Sequence, residues 1–218
     1  MFISNTFEVT ISMLIQSAYP ANNSTSQDLV QFRLFLGEQY MPVSDEDWCM
    51  LESFAYSFKL QKHSFLLNYG EICSAMWFLI RGAVRVFEPS LTIEKTLQLH
   101  YAPEMMTNYE SLITQKPSKA AYITEVESTF IRLDYQLLLS AYNYSPALER
   151  IGRLIAERHF MFEFELRKLL LNNDAQSRYQ FMLEKKPEIF QYFALKDIAS
   201  FIGVTPSSLS RLRKAKMW

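Results

Sequence analysis

The chain has 218 residues, which suits two unequal domains better than one. Apolar residues make up 49% and charged residues 21%, a balance that excludes a largely disordered chain; no apolar run approaches the roughly 20 residues of a membrane span, and Cys49 and Cys73 are too few for a disulfide scaffold or an iron–sulfur cluster. The formal net charge is −1, but residues 185–218 set Lys185, Lys186, Lys196, Arg211, Arg213, Lys214 and Lys216 against only Glu188 and Asp197, so a basic end follows an acidic body.

Residues 1–26 are expected to form a poorly ordered or variable extension that ends in the polar run Asn22-Asn23-Ser24-Thr25-Ser26, with Met13 as another start. No Lys or Arg precedes Val9–Tyr19, so this stretch lacks the charged opening of a signal peptide, and a soluble cytoplasmic protein is expected. From Gln27 to Tyr40, Leu29, Phe32, Phe35, Leu36 and Tyr40 recur at helical spacing. Ser44, followed by Asp45-Glu46-Asp47, opens a second helix expected to reach about Tyr56.

Short apolar or alternating runs then follow one another: Phe58–Leu60, Ser64–Leu67, Met76–Ile80, Ala83–Phe87, Thr96–Tyr101, Tyr122–Val126 and Phe130–Leu133. Gly and Pro fall between them, so the segment reads as a β-sandwich or barrel, with two strands hinged near Gly82. Tyr135–Tyr144 reads as a short helix, and Pro146 opens a long one. The stripe Leu148, Ile151, Ile155, Phe162, Leu166 and Leu169 on that long helix is expected to pack on a second copy, although the barrel is the alternative. After Asn172-Asn173-Asp174 come helices at 175–184, about 187–193, 195–201 and 206–216.

The last two of these fit a helix-turn-helix. Ile198 and Ala199 face inward, and Ala is small enough for a close crossing. Gly203 stands where the turn needs positive φ, Val204 plugs the angle, and Thr205-Pro206 supplies an N-cap and a first-turn Pro. Leu209 and Leu212 anchor the second helix, which leaves Thr205, Ser207, Ser208, Ser210, Arg211, Arg213 and Lys214 as candidate DNA-binding residues. Hydroxyls, a guanidinium and further cations are what base edges and phosphates require. A packing-only helical hairpin, in a ligand-binding or interaction protein, is the alternative.

The order of helix, β-barrel, long helix and C-terminal helix-turn-helix resembles the Crp/Fnr family of bacterial regulators over about residues 28–216, and most closely a branch common in Bacteroidetes. The likeness rests on Asp197 to Arg213, on Phe65-Leu66-Leu67 with Gly70-Glu71, and on Phe78 to Arg85. It implies an α+β fold: a jelly-roll, cyclic-nucleotide-binding-like barrel over 27–144, a dimerisation helix over 145–172 and a DNA-binding domain over 173–218. It further implies a homodimer on palindromic double-stranded DNA, a base contact from Arg211, and RNA polymerase as a candidate partner. Pro206 and Ser207 occupy readout positions, so the operator should differ from that of the cyclic-AMP receptor protein, and the β-wing that many family members carry after the recognition helix is not expected.

The family's cyclic-nucleotide binders use a Gly-Glu pair and an Arg-Ser pair. The matching stretch, 106–120, has no Gly-Glu, and Lys119-Ala120 stands near the Arg-Ser place. Candidate ligand contacts are therefore Thr107, Asn108, Glu110, Ser118 and Lys119, for a small anion, an apolar ligand or none, with cyclic AMP not expected. His63, His100 and His159 are too scattered for a metal site, no nucleophilic triad or phosphate loop occurs, and neither a cofactor nor an enzymatic activity is expected.

Overall fold

A computed structural model describes residues 26–90 and 94–215. Except for Ser26, the expected N-terminal extension lies outside the described residues, as does position 216 at the end of the last helix. Helices α1 (Ser26–Gln39) and α2 (Asp45–Glu52) precede strands β1 (Ala55–Leu60), β2 (Phe65–Leu67), β3 (Ala75–Arg81), β4 (Ala83–Glu88), β5 (Lys95–Tyr101) and β6 (Glu104–Met106). Helix α3 (Tyr109–Thr114), β7 (Ala121–Thr124) and β8 (Ser128–Asp134) follow. The remainder is helical: α4 (Tyr135–Tyr144), α5 (Pro146–Asn172), α6 (Ala175–Lys185), α7 (Ile189–Tyr192), α8 (Leu195–Phe201) and α9 (Pro206–Ala215).

Ser44 caps α2 by accepting the Asp47 N–H at 3.1 Å. The helix stops short of Tyr56 because Ala55 already pairs with Leu133 of β8. The strands form two antiparallel sheets, ordered β1-β8-β3-β6 and β2-β7-β4-β5. Among the described residues no strand pair joins them, so the expected barrel is an open jelly-roll sandwich. Gly82 (φ +109°) carries the chain from β3 in one sheet to β4 in the other, and a Cβ there would collide with Ser128.

Strand β3 is covered on both faces, which explains its unbroken apolar run. Phe32 and Phe35 of α1 pack on Phe78, with ring centroids 4.9 and 4.6 Å away. Alternation points the neighbouring Trp77 the other way, between the sheets, where it meets Tyr122 of β7 at 6.3 Å. Two elements lie outside the sequence expectation. Strand β6 is held by pairing with Trp77–Leu79, and α3 is capped by Asn108, which accepts the Ser111 N–H at 3.0 Å.

Ser145 caps α5, with Pro146 in its first turn. The apolar stripe of α5 packs within its own chain. Leu148, Ile151 and Ile155 join the core of the sandwich and its helices; Leu166 and Leu169 join the core of the C-terminal unit, and Phe162 is half-buried against that core. The residues expected to join two copies are therefore already covered. Periodicity identifies the buried face of a helix and does not identify its partner.

The C-terminal unit docks on the sandwich through charge as well as apolar contact. Lys186, just beyond α6, reaches Glu104 of β6 at 3.0 Å, and Glu104 also faces His100 at 3.2 Å. Burial pushes the Glu104 carboxyl up, but Lys186 and His100 outweigh it and hold the group well below the usual carboxylate range. The Lys186 ammonium also lies 4.8 Å from the Phe162 ring. No helix among the described residues is long and apolar enough to cross a membrane.

Replacing Lys186 by Met strands a largely buried carboxylate. Thermal unfolding at neutral pH should show a loss of about 3 kcal/mol. A carboxyl held low stabilises the fold above its unfolded value and loses that contribution as pH falls through its folded value, so the deficit should shrink under acid conditions. An equal deficit at pH 7 and pH 3 would exclude this role for the pair.

Candidate nucleic-acid interface

The turn between α8 and α9 is built as its sequence requires. Gly203 has φ +66°, and the Val204 N–H returns to the Ala199 carbonyl at 2.9 Å. Ile198, Ala199, Ile202 and Leu209 are fully buried between the helices. Thr205 accepts the Ser208 N–H at 3.1 Å, which is the N-cap bond, and Pro206 occupies the first helical position.

Thr205, Ser207, Arg211, Arg213 and Lys214 are exposed on the outer face of α9, and Ser208 and Ser210 are half-exposed. Three of the hydroxyls have local work, Thr205 meeting Ser207 oxygen to oxygen at 3.0 Å. Thr205 donates to Ser208 at 2.9 Å, and Ser208 receives an Arg211 N–H at 3.4 Å. The Ser208 side chain thus belongs to the cap and to the placement of Arg211. Among the described residues no carboxylate pairs with Arg211, Arg213 or Lys214.

Two arginines outside this face set its position. Arg178 of α6 donates to the carbonyls of Leu170 (2.8 Å), Asn173 (3.0 Å), Ile202 (3.2 Å) and Gly203 (3.1 Å). It thereby ties the end of α5 to the turn before α9. Arg85, in mid-strand on β4, holds Glu94 at 2.9 Å, Glu125 at 3.0 Å and Asp197 of α8 at 3.6 Å. Burial raises the Asp197 carboxyl, and Arg85 offsets part of that rise. Ser200 of α8 accepts the Thr96 N–H of β5 at 3.0 Å.

Neither arginine was singled out from sequence. The signal for Arg85 is a charge in the middle of the buried run Ala83–Phe87, which demands a partner. Nothing local marks Arg178, whose acceptors are main-chain carbonyls far from it in sequence.

The expected ligand residues separate into two groups. Thr107, Asn108 and Ser118 come together and are buried, but they satisfy one another and the main chain. Thr107 donates to the Ala75 carbonyl at 2.9 Å, Asn108 to Ser118 at 2.7 Å, and Ser118 to the Ala120 carbonyl at 2.6 Å. Glu110 and Lys119 pair with each other at 3.1 Å on the surface. Between the sheets, Tyr122 donates its hydroxyl to the Thr107 carbonyl at 3.2 Å.

His63 is exposed, whereas His100 and His159 are turned toward the junction of the two units. His159 meets the Met105 carbonyl at 2.8 Å, and burial lowers its pKa. No group of three His, Cys, Asp or Glu among the described residues could hold a metal ion.

Solved structures share this arrangement. The fold is that of the Crp/Fnr regulators. FixK2 from Bradyrhizobium japonicum is 16% identical, with a TM-score of 0.63 over 74% of this chain and 83% of its own. A protein assigned to the Crp/Fnr family of transcriptional regulators, from Eubacterium rectale, is 12% identical, with a TM-score of 0.60 over 79% and 83%. A variant of CooA from Carboxydothermus hydrogenoformans is 14% identical, with a TM-score of 0.60 over 84% and 83%. No protein-family model and no curated protein matches the chain.

The left-handed backbone at Gly203 makes a sharp prediction. Gly203→Ala should lower stability by about 1 kcal/mol in denaturant unfolding. Gly203→Asn should cost less, since Asn tolerates that conformation. Equal stability of the Ala variant would mean that the turn does not need positive φ.

Proposed function

We propose that the chain is a DNA-binding transcription regulator, acting as a homodimer on an inverted-repeat site. The observation that carries this reading is the outer face of α9, where Arg211, Arg213 and Lys214 stand exposed without an acidic partner on a helix otherwise fixed by a buried root. Cations gathered on the outer face of a helix that a buried root holds in place are what a polyanion's charge and phosphates would meet. The fold shared with Crp/Fnr regulators supports the same reading. In this reading Arg211 reads a base edge, Arg213 and Lys214 hold phosphates, and Thr205, Ser207 and Ser210 supply hydroxyl contacts. Ser208 acts through the placement of Arg211.

The dimer contact lies on the face of α5 opposite its buried stripe. Phe160, Phe164 and Leu171 are 67%, 48% and 72% exposed there. Phe160 and Phe164 stack at 6.2 Å, one turn apart, and Leu171 continues the row two turns on. An apolar row of this kind on a helix is a pairing surface. Cyclic AMP is not the effector in this reading. Trp77 and Tyr122 occupy the space between the sheets, and Thr107, Asn108 and Ser118 are engaged in hydrogen bonds to one another and to the main chain.

Selection from random duplex DNA should recover an inverted repeat whose half-sites lie about one helical turn apart. Arg211→Ala should weaken binding by about 1–3 kcal/mol and relax preference at one base per half-site, whereas Lys214→Ala should weaken all sequences alike and reduce the salt slope by about 1. Failure to recover any repeat at low salt would overturn the reading. Phe160→Glu combined with Phe164→Glu should give a monomer in sedimentation and lose preference for the full repeat over a half-site.

A further inference from the structure

A cleft of about 570 Å3 lies between the sandwich and the C-terminal unit. Phe35 and Tyr40 come from the end of α1, and Glu104 and Met105 from β6. Helix α5 contributes Arg158, Met161, Phe162 and Glu165, while Lys185 and Lys186 belong to the unit that carries the recognition helix. Small-molecule sites span roughly 300–1,000 Å3 and concentrate where domains meet.

The charges in this cleft are unevenly met. Lys186 and Glu104 neutralise each other at 3.0 Å. Arg158 has no carboxylate partner among the described residues. It donates to the Gln39 side-chain oxygen at 2.9 Å and lies 5.8 Å from the centre of the Tyr40 ring. Neutral partners thus hold its planar group in place while its charge and remaining N–H donors stay available. Lys185, exposed at the rim, adds a second cation. Glu165, seven positions beyond Arg158 on the same helix and so about 10 Å further along it, is a lining carboxylate without an ion pair among the described residues.

We infer that this cleft is a ligand site for a small aromatic monocarboxylate. The carboxylate takes two parallel N–H donors of Arg158, the geometry a guanidinium supplies and an ammonium does not. The ring lies against Tyr40, Met161 and Phe162, which offer apolar and aromatic surface. Glu165 repels a second acid group, so monoacids are preferred to diacids. The ligand touches both units at once, and its occupancy therefore biases how the recognition helix is carried. That last consequence rests on the proposed regulatory role; the binding itself does not.

The test is calorimetric titration of the full chain without DNA, using phenylpropionate, phenylpropionamide and phenylsuccinate. Phenylpropionate should bind saturably, and the amide and the diacid at least about tenfold more weakly. Arg158→Gln should remove the advantage of the acid over the amide, and Glu165→Gln should admit phenylsuccinate, both with unchanged melting temperature. No saturation in the millimolar range, equal binding of acid and amide, or undiminished acid binding by Arg158→Gln would each overturn the inference. Because no DNA is present, these outcomes are independent of whether the protein recognises a DNA repeat.

Discussion

One guanidinium governs how this chain presents α9. Arg178 closes on four carbonyls, two at the end of α5 and two in the turn before α9. The last carbonyls of a helix have no internal partner and carry partial negative charge, so a fixed cation there satisfies bonds and opposes the helix dipole together. The left-handed backbone at Gly203 allows its carbonyl and that of Ile202 to reach the same group. A rigid link from the long helix to the reading helix follows. If two copies pair along α5, this side chain helps to set the distance between their α9 helices.

Charge also selects how the two units sit together. Glu104 with Lys186 and His100, and Arg85 with Asp197, are polar contacts placed within largely apolar surroundings. Such pairs lose much of their attraction to desolvation, so their main effect is to reject alternative dockings in which one partner would be buried alone. The apolar contact that accompanies them is less discriminating. Lys186 and Arg85 are thus matched by carboxylates, whereas Arg211, Arg213 and Lys214 on the outer face of α9 have no such partner among the described residues.

Much of this was legible in the sequence because the determinants are local. Ser44, Asp174 and Thr205 each cap the helix that follows them, Pro146 opens α5, and Gly82 and Gly203 each mark a positive φ. The long stripe on α5 identified its buried face correctly. Its partner was illegible, since the sandwich and a second helix ask for the same pattern of apolar residues. Strand β6 escaped because a three-residue strand has no periodicity, and its identity comes from pairing with β3. Thr107, Asn108 and Ser118 are expected at a ligand from their place in the stretch that matches the family's nucleotide binders, and that place does not say whether polar side chains face a ligand or one another. The cleft at Arg158 is assembled from α1, β6, α5 and the end of α6, and no stretch of sequence contains it.

The docking of α8 on β5 has a consequence for solubility. Strand β5 is the last strand of its sheet, and its free edge offers main-chain groups to any passing strand. The C-terminal unit lies against that strand, and Ser200 takes up the Thr96 N–H. The C-terminal unit is therefore a guard on the sheet. Without that cover, β5 would be a place where a second molecule can add a strand. Variants that loosen the docking should then fail first by self-association, before the sandwich itself unfolds.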